Sequence, residues 1–131
     1  MSTPTLPEFQ EQVSELLLRH RSLLDVLTKL SQASASVNRS VAKAITECGC
    51  ISLSAHKQGF PADLSLDQAL RQAQSHLSGK LCEHCRDMVI SELGKNLFYM
   101  SALGNLLEIR LDEVLAKESR KCSTLGVFNL T

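Results

Sequence analysis

The sequence predicts an all-α fold, a bundle of four or five helices forming a single domain over residues 1–131. Three observations carry this. Six Gly, three Pro, four Phe, one Tyr and no Trp stand against abundant Leu, Ala, Ser and Gln, a mixture that suits helices better than sheet. Apolar residues recur at three- and four-residue steps along most of the chain, the period of a helix with one buried face. The gaps between these periodic segments carry helix stop and start signals, Gly49, Ser65 and Ser78-Gly79. A length of 131 residues suits one core, and 44% apolar with 21% charged residues is a globular balance that excludes a disordered chain.

The elements follow in order. After Pro7, the residues Phe9, Val13, Leu16, Leu17, Leu24, Leu27 and Leu30 share one helical face, which predicts a helix from Pro7 to Leu30. Ser31 to Ser36 carries only small or uncharged side chains, which fit either a loop or a helix packed closely on a neighbour; a helix is expected, with room for a break. Val37, Val41, Ala44 and Ile45 resume the period, and Gly49 ends it. Residues 49–64 read as a loop, with a short extended piece where Ile51, Leu53 and Ala55 alternate. Ser65 followed by Leu66-Asp67-Gln68 is a capping box, so a helix is expected from Leu66 to Leu77, ended by Ser78-Gly79. From Cys82 to Leu107, the residues Cys82, Cys85, Val89, Leu93, Asn96, Met100, Leu103 and Leu107 fall within about 40° of one direction at 100° per residue. That predicts one continuous buried stripe. A last helix is expected from Leu111 to Arg120, with Asp112-Glu113 at its positive end. The apolar ending, Thr124 to Thr131, is expected to dock on the body or on a partner subunit.

Fourteen Lys and Arg balance fourteen Asp and Glu, so no net field draws the chain to nucleic acid or to an anionic bilayer. The start, Met1-Ser2-Thr3-Pro4-Thr5, lacks the basic and apolar regions of a secretory signal. No stretch reaches the roughly 18 apolar residues of a membrane span. A cytoplasmic location is therefore expected, where five cysteines do not form a disulfide framework.

Four of those cysteines are paired in sequence. Cys48-Gly49-Cys50 and Cys82-Glu83-His84-Cys85 form a C-x-C and a C-x2-C separated by positions 51–81. Two such pairs are the usual way to offer four soft ligands to a tetrahedral ion at about 2.3 Å, zinc first on frequency and an iron–sulfur cluster second. The first pair sits at a predicted helix end and the second on the first turn of another helix, where ligand geometry costs no core backbone hydrogen bonds. Two other readings stay open: small buried hydrophobes, since Cys82 and Cys85 fall on the apolar stripe, and a redox pair. His56 and His84 could each replace a thiolate but are expected in solvent, and Cys122 stands apart.

Glu83 and Asp87 share a face pointing away from the stripe and read as solvated. Glu92 and Asn96 are different, lying about 60° and about 20° from its centre, where an unpaired polar group costs roughly 1–3 kcal/mol. They need partners, and Lys95 and Tyr99 flank the same edge. A satisfied structural network, a polar dimer seam and a ligand site all fit this pattern.

The stretch Glu92-Leu93-Gly94-Lys95-Asn96-Leu97-Phe98-Tyr99, with the following Ala102 to Lys117, resembles the second half of the all-α nucleoside triphosphate pyrophosphohydrolases, the MazG-like superfamily. Ile109-Arg110-Leu111-Asp112-Glu113-Val114-Leu115 occupies the family's turn into the last helix. The resemblance implies a homodimeric or larger helical assembly. It also implies magnesium held by carboxylates of two helices, and hydrolysis of a nucleoside triphosphate to its monophosphate and pyrophosphate. Glu92 matches the first acid of the family's E-x-x-D, with Lys95 where the Asp stands. The family's E-E-x-x-E would fall on Asn38 to Glu47, where Glu47 alone is acidic. A divergent member is thus expected, with Glu92 as its catalytic acid and Lys95, Asn96, Tyr99 and Glu47 as ligand contacts, its hydrolysis kept or lost. The alternative is a non-enzymatic helical module that uses the four cysteines for stability and its apolar faces for self-association or partner binding.

Overall fold

The computed structural model describes residues 2–16 and 22–125. Helix α1 is Leu6–Leu16 and α2 is Leu23–Lys43, which runs through the uncharged stretch around Ser34 unbroken and passes into a single π-helical turn, Ala44–Cys48. Strand β1 (Ile51–Leu53), helix α3 (Leu66–Gln72) and strand β2 (Leu77–Gly79) come next, followed by α4 (Glu83–Leu106) and α5 (Leu111–Leu125). The fold is mostly helical, as expected. Positions 17–21 of the long first helix predicted from Pro7 to Leu30 lie outside the described residues, as does the terminal segment from Gly126 on; Thr124 and Leu125 close α5. None of the described helices is long and apolar enough to cross a membrane.

Packing divides the chain into two units, one holding the residues up to Val37 and those from Ser91 on, the other Asn38–Ile90. In the first unit Val13, Val26 and Ala102 form a buried cluster on which Phe9, Phe98 and Leu103 pack. Its turn between α4 and α5 is held by a polar side chain. Gln10 is 6% exposed. Its Nε2 donates to the Ile109 carbonyl at 2.8 Å and its Oε1 accepts the Leu111 N–H at 2.8 Å, while Asn105 Nδ2 donates to the Gln10 carbonyl at 3.0 Å. Glu108 takes a left-handed conformation (φ 57°) to close α4, and the Ile109 N–H reaches the Gly104 carbonyl at 2.8 Å. A Cβ on Gly104 would stand 2.7 Å from the Ile109 oxygen and 2.8 Å from Gln10 Nε2. Gln10→Ala leaves a carbonyl and a buried N–H unpaired, and is expected to cost about 2–4 kcal/mol in urea unfolding, with an unchanged m-value.

In the second unit, Ala44, Ile51 and Cys85 form the buried cluster, with Ile45, Cys50, Leu81 and Cys82 against it. Strands β1 and β2 pair antiparallel in the register Ile51↔Gly79, Ser52↔Ser78, Leu53↔Leu77. The capping box of α3 is present, Ser65 Oγ accepting the Gln68 N–H at 3.2 Å and Gln68 Oε1 accepting the Ser65 N–H at 3.0 Å. The predicted extent of this helix is corrected: it stops at Gln72 rather than Leu77. Gln58 Oε1 takes the Gln74 N–H at 2.9 Å, and the chain then runs extended to pair with β1, so Ser78-Gly79 lies in a strand and not at a helix stop.

The stripe from Cys82 to Leu107 is also corrected. Cys85 is buried and Val89, Asn96 and Leu103 are half-buried, but Leu93, Met100 and Leu107 are 49%, 43% and 50% exposed. Burial on α4 falls instead at Ser101, Ala102 and Gly104, on the side where the Val13–Val26 cluster packs.

Candidate metal centre

Each half of the centre is built by a local backbone device. At the end of α2 the helix widens into the π turn, whose last bond runs from the Gly49 N–H to the Ala44 carbonyl at 2.9 Å. Gly49, at φ 78°, then reverses the chain at low cost, so that Cys48 before it and Cys50 after it serve the same point. On the other side Cys82 immediately precedes α4 and caps it. The Cys85 N–H donates to Cys82 Sγ at 3.4 Å, the place an Asp or Ser oxygen takes in an ordinary N-cap. Strand β2 delivers the chain to this point through Gly79 (φ 88°), where a Cβ would lie 2.5 Å from the Cys50 carbonyl oxygen.

The outcome is four sulfurs, of Cys48, Cys50, Cys82 and Cys85, all within 4.8 Å of one another. Cys48 and Cys82 are 3.8 Å apart. Four sulfurs about 2.3 Å from a common ion have tetrahedral edges of about 3.8 Å, so the cluster needs little contraction to hold one. Cys85 is buried, Cys50 and Cys82 half-buried and Cys48 exposed. The helix end tunes the set: the Cys85 N–H, then the Cys85 thiol, bring Cys82 down to about 7. Cys85 is pushed up to about 12, first by the neighbouring Cys82 sulfur and then by burial. Thiols this close cannot all ionise without a cation between them, and a divalent ion would supply the missing charge.

Among the described residues no His, Asp or Glu joins the cluster, and no second group of three or more such ligands gathers. His56 packs edge-on to His76, ring centroids 5.0 Å apart. His84 lines a cavity of about 330 Å³ beside the sulfurs with Ser40, Lys43, Glu47 and Met88. Glu47, expected beside a bound nucleotide, therefore stands with the cysteines.

The remaining candidates lie in the other unit. Glu92, its side chain 15% exposed, accepts from Lys95 Nζ at 3.4 Å. Both line a pocket of about 290 Å³ with Tyr99, Lys29, Gln32 and Ser36. Asn96 is half-buried and its Oδ1 accepts the Ser34 hydroxyl at 3.4 Å. Glu92 is the single carboxylate of this pocket, so no cage of several acids for magnesium is assembled there. Lys29 carries no signal in the sequence beyond its place on the polar side of α2. Gly79, which the sequence offers as a helix stop, serves instead a close approach of two backbones within a strand, the other signal a Gly can carry. Compared with protein-family models, with curated proteins and with solved structures, the chain matches none.

Proposed function

We propose that the protein is a non-enzymatic helical module whose four thiolates hold one structural zinc ion. The observation that carries this is the meeting of the C-x-C and C-x2-C pairs with all four sulfurs within 4.8 Å. Four protein ligands fill every position of a tetrahedral ion and leave none for water or substrate, the mark of a structural rather than a catalytic centre. The ion would fasten the end of α2, the base of the hairpin and the start of α4 to one point. Its test is elemental analysis of protein purified under reducing conditions, together with cobalt(II) substitution. One zinc per chain and intense visible bands of tetrahedral cobalt thiolate are expected. Protein without metal that gives no such bands would remove the proposal.

A second reading is favoured by one observation, the shared pocket of Glu92, Lys95, Tyr99 and Lys29. In it the chain is a divergent MazG-like relative that binds a nucleoside triphosphate, the two lysines meeting phosphate oxygens and Glu92 activating water. Nucleoside triphosphates with magnesium would then raise the melting temperature and release pyrophosphate. Neither effect, with every base tried, would eliminate it.

A further inference from the structure

The four sulfurs are not equally accessible. Cys85 is buried, Cys50 and Cys82 are half-buried, and of the four Cys48 alone is exposed. Cys48 also lies on the wall of the cavity of about 330 Å³ shared with Lys43, Glu47, His84 and Met88. A space of this size admits several molecules no larger than water or hydrogen peroxide. The charges of Lys43 and Glu47 offset each other there, so the cavity suits a small uncharged reagent better than an anion. Beside Cys48 stands a sulfur of the other pair. Cys48 Sγ and Cys82 Sγ are 3.8 Å apart, in van der Waals contact. A disulfide needs about 2.05 Å, so the two atoms have only about 1.8 Å to close. Both residues sit at element ends, Cys48 closing the π turn and Cys82 just before α4, where such a movement leaves the helix interiors undisturbed.

We propose that Cys48 is an oxidation site for hydrogen peroxide and that its bonding to Cys82 expels the zinc ion, so that the chain holds its metal only under reducing conditions. This inference rests on the zinc reading. In the first step the Cys48 thiolate attacks one oxygen of the peroxide. An S–O bond forms, the O–O bond breaks and the other oxygen leaves as hydroxide, the sulfur being oxidised to a sulfenic acid and the peroxide reduced. Lys43 and His84 line the cavity in which this hydroxide is formed and offer it hydrogen-bond donors. In the second step the Cys82 thiolate attacks the Cys48 sulfur. An S–S bond forms, the S–O bond breaks and a second hydroxide departs. Each hydroxide takes a proton from solvent and ends as water. Cys50 and Cys85 remain as ligands, and two thiolates do not retain an ion that four held. The new bond joins one cysteine of the C-x-C to one of the C-x2-C. It therefore ties the end of α2 to the start of α4 in place of the ion, and keeps the sulfurs together for reloading once the bond is reduced.

The test starts from the full chain, its zinc content measured first, and treats it with hydrogen peroxide beside a chromogenic chelator. Release of the bound zinc is expected, with peptide mass mapping showing Cys48 bonded to Cys82, and with dithiothreitol and added zinc restoring the starting state. Cys48→His keeps four ligands of types that zinc accepts but removes the exposed thiol, and should release zinc at least about 10-fold more slowly. Cys82→His should stop at the sulfenic acid, trapped on Cys48 by dimedone. Should either variant fail to load, the bond mapped in the native chain decides alone. Cys122→Ser, outside the four-sulfur set, should release zinc at the native rate. Zinc that stays bound in the native chain under peroxide overturns the proposal and leaves the zinc reading standing. Release with oxidation mapped to Cys50 and Cys85 and none on Cys48 does the same. A chain that carries no zinc before peroxide is added removes the zinc reading, and this proposal with it.

Discussion

Cys82→Ser combined with Cys85→Ser is expected to release the metal and to leave residues 49–81 without protection from hydrogen exchange, while the amides around Ala102 and Leu111 keep theirs. The reason is the poverty of the second unit's own core. Its buried cluster is Ala44, Ile51 and Cys85, one of which is itself a member of the four-sulfur set. Helix α3 buries none of its residues, and two strands of three residues make a hairpin too small to stand alone. With the proposed ion bound, a unit of this kind would draw its stability from the metal, and loss of ligands would unfold it. Amides of Ser52, Ser54 and Ser78, which the antiparallel register places on the bonded positions of the hairpin, should exchange at least about 100-fold faster in the double variant, and likewise after treatment of the native protein with a strong chelator. Unchanged protection in both experiments would mean that apolar packing suffices and the sulfurs are ordinary core atoms.

Gly79→Ala is expected to have the second largest effect, with no sulfur touched. Gly79 sits at φ 88°, where an added methyl group pays about 1–2 kcal/mol for conformation alone. That methyl would also stand 2.5 Å from the Cys50 carbonyl oxygen, which belongs to backbone and cannot swing aside. Relief requires β2 to part from Cys50 and Ile51, so metal affinity should fall together with stability, by about 2–4 kcal/mol in all. Gly49→Ala is the informative comparison. Its φ of 78° carries the same conformational penalty, but an added Cβ there meets nothing within 4 Å, and about 1 kcal/mol is expected. Competition with a chromogenic chelator and thermal melts of the two variants measure the difference; equal effects would show that the contact with Cys50 is soft.

The features legible in the sequence were those written into neighbouring residues. Ser65 and Gln68 specify their cap within one turn, and Cys48-Gly49-Cys50 and Cys82 to Cys85 mark themselves as candidate ligands by spacing alone, which the structure brings together as four sulfurs. The α4 helix follows from apolar period over many turns. What failed depends on distant partners. The period of Leu66 to Leu77 would allow a longer helix, but Leu77 pairs with Leu53 and Gln74 with Gln58, and those bonds prevail over propensity. Gln10 reads as a solvated residue on α1 because the groups that bury it, at Asn105, Ile109 and Leu111, stand at the other end of the chain. The stripe on α4 groups Leu93 and Met100 with Leu103, but period alone does not say that the fold leaves the first two half in water. Lys29 reaches the Glu92 pocket by tertiary packing, and no local rule places it there.

The hairpin of β1 and β2 has an architectural corollary. Its feet meet at the four clustered sulfurs, and Ser54 and His76 add one more rung, the Ser54 N–H to the His76 carbonyl at 2.8 Å. The stretch between them is consequently a handle whose two roots are fixed at the same spot. Lengthening such a handle adds only the entropy of a longer tether, about 0.6 kcal/mol for each doubling. Gly59, where even an added side chain meets nothing, lies on its open arc. A reporter peptide or a small domain spliced in at that glycine would be carried clear of the sulfurs, and related chains are free to differ there in size and content while keeping the same roots.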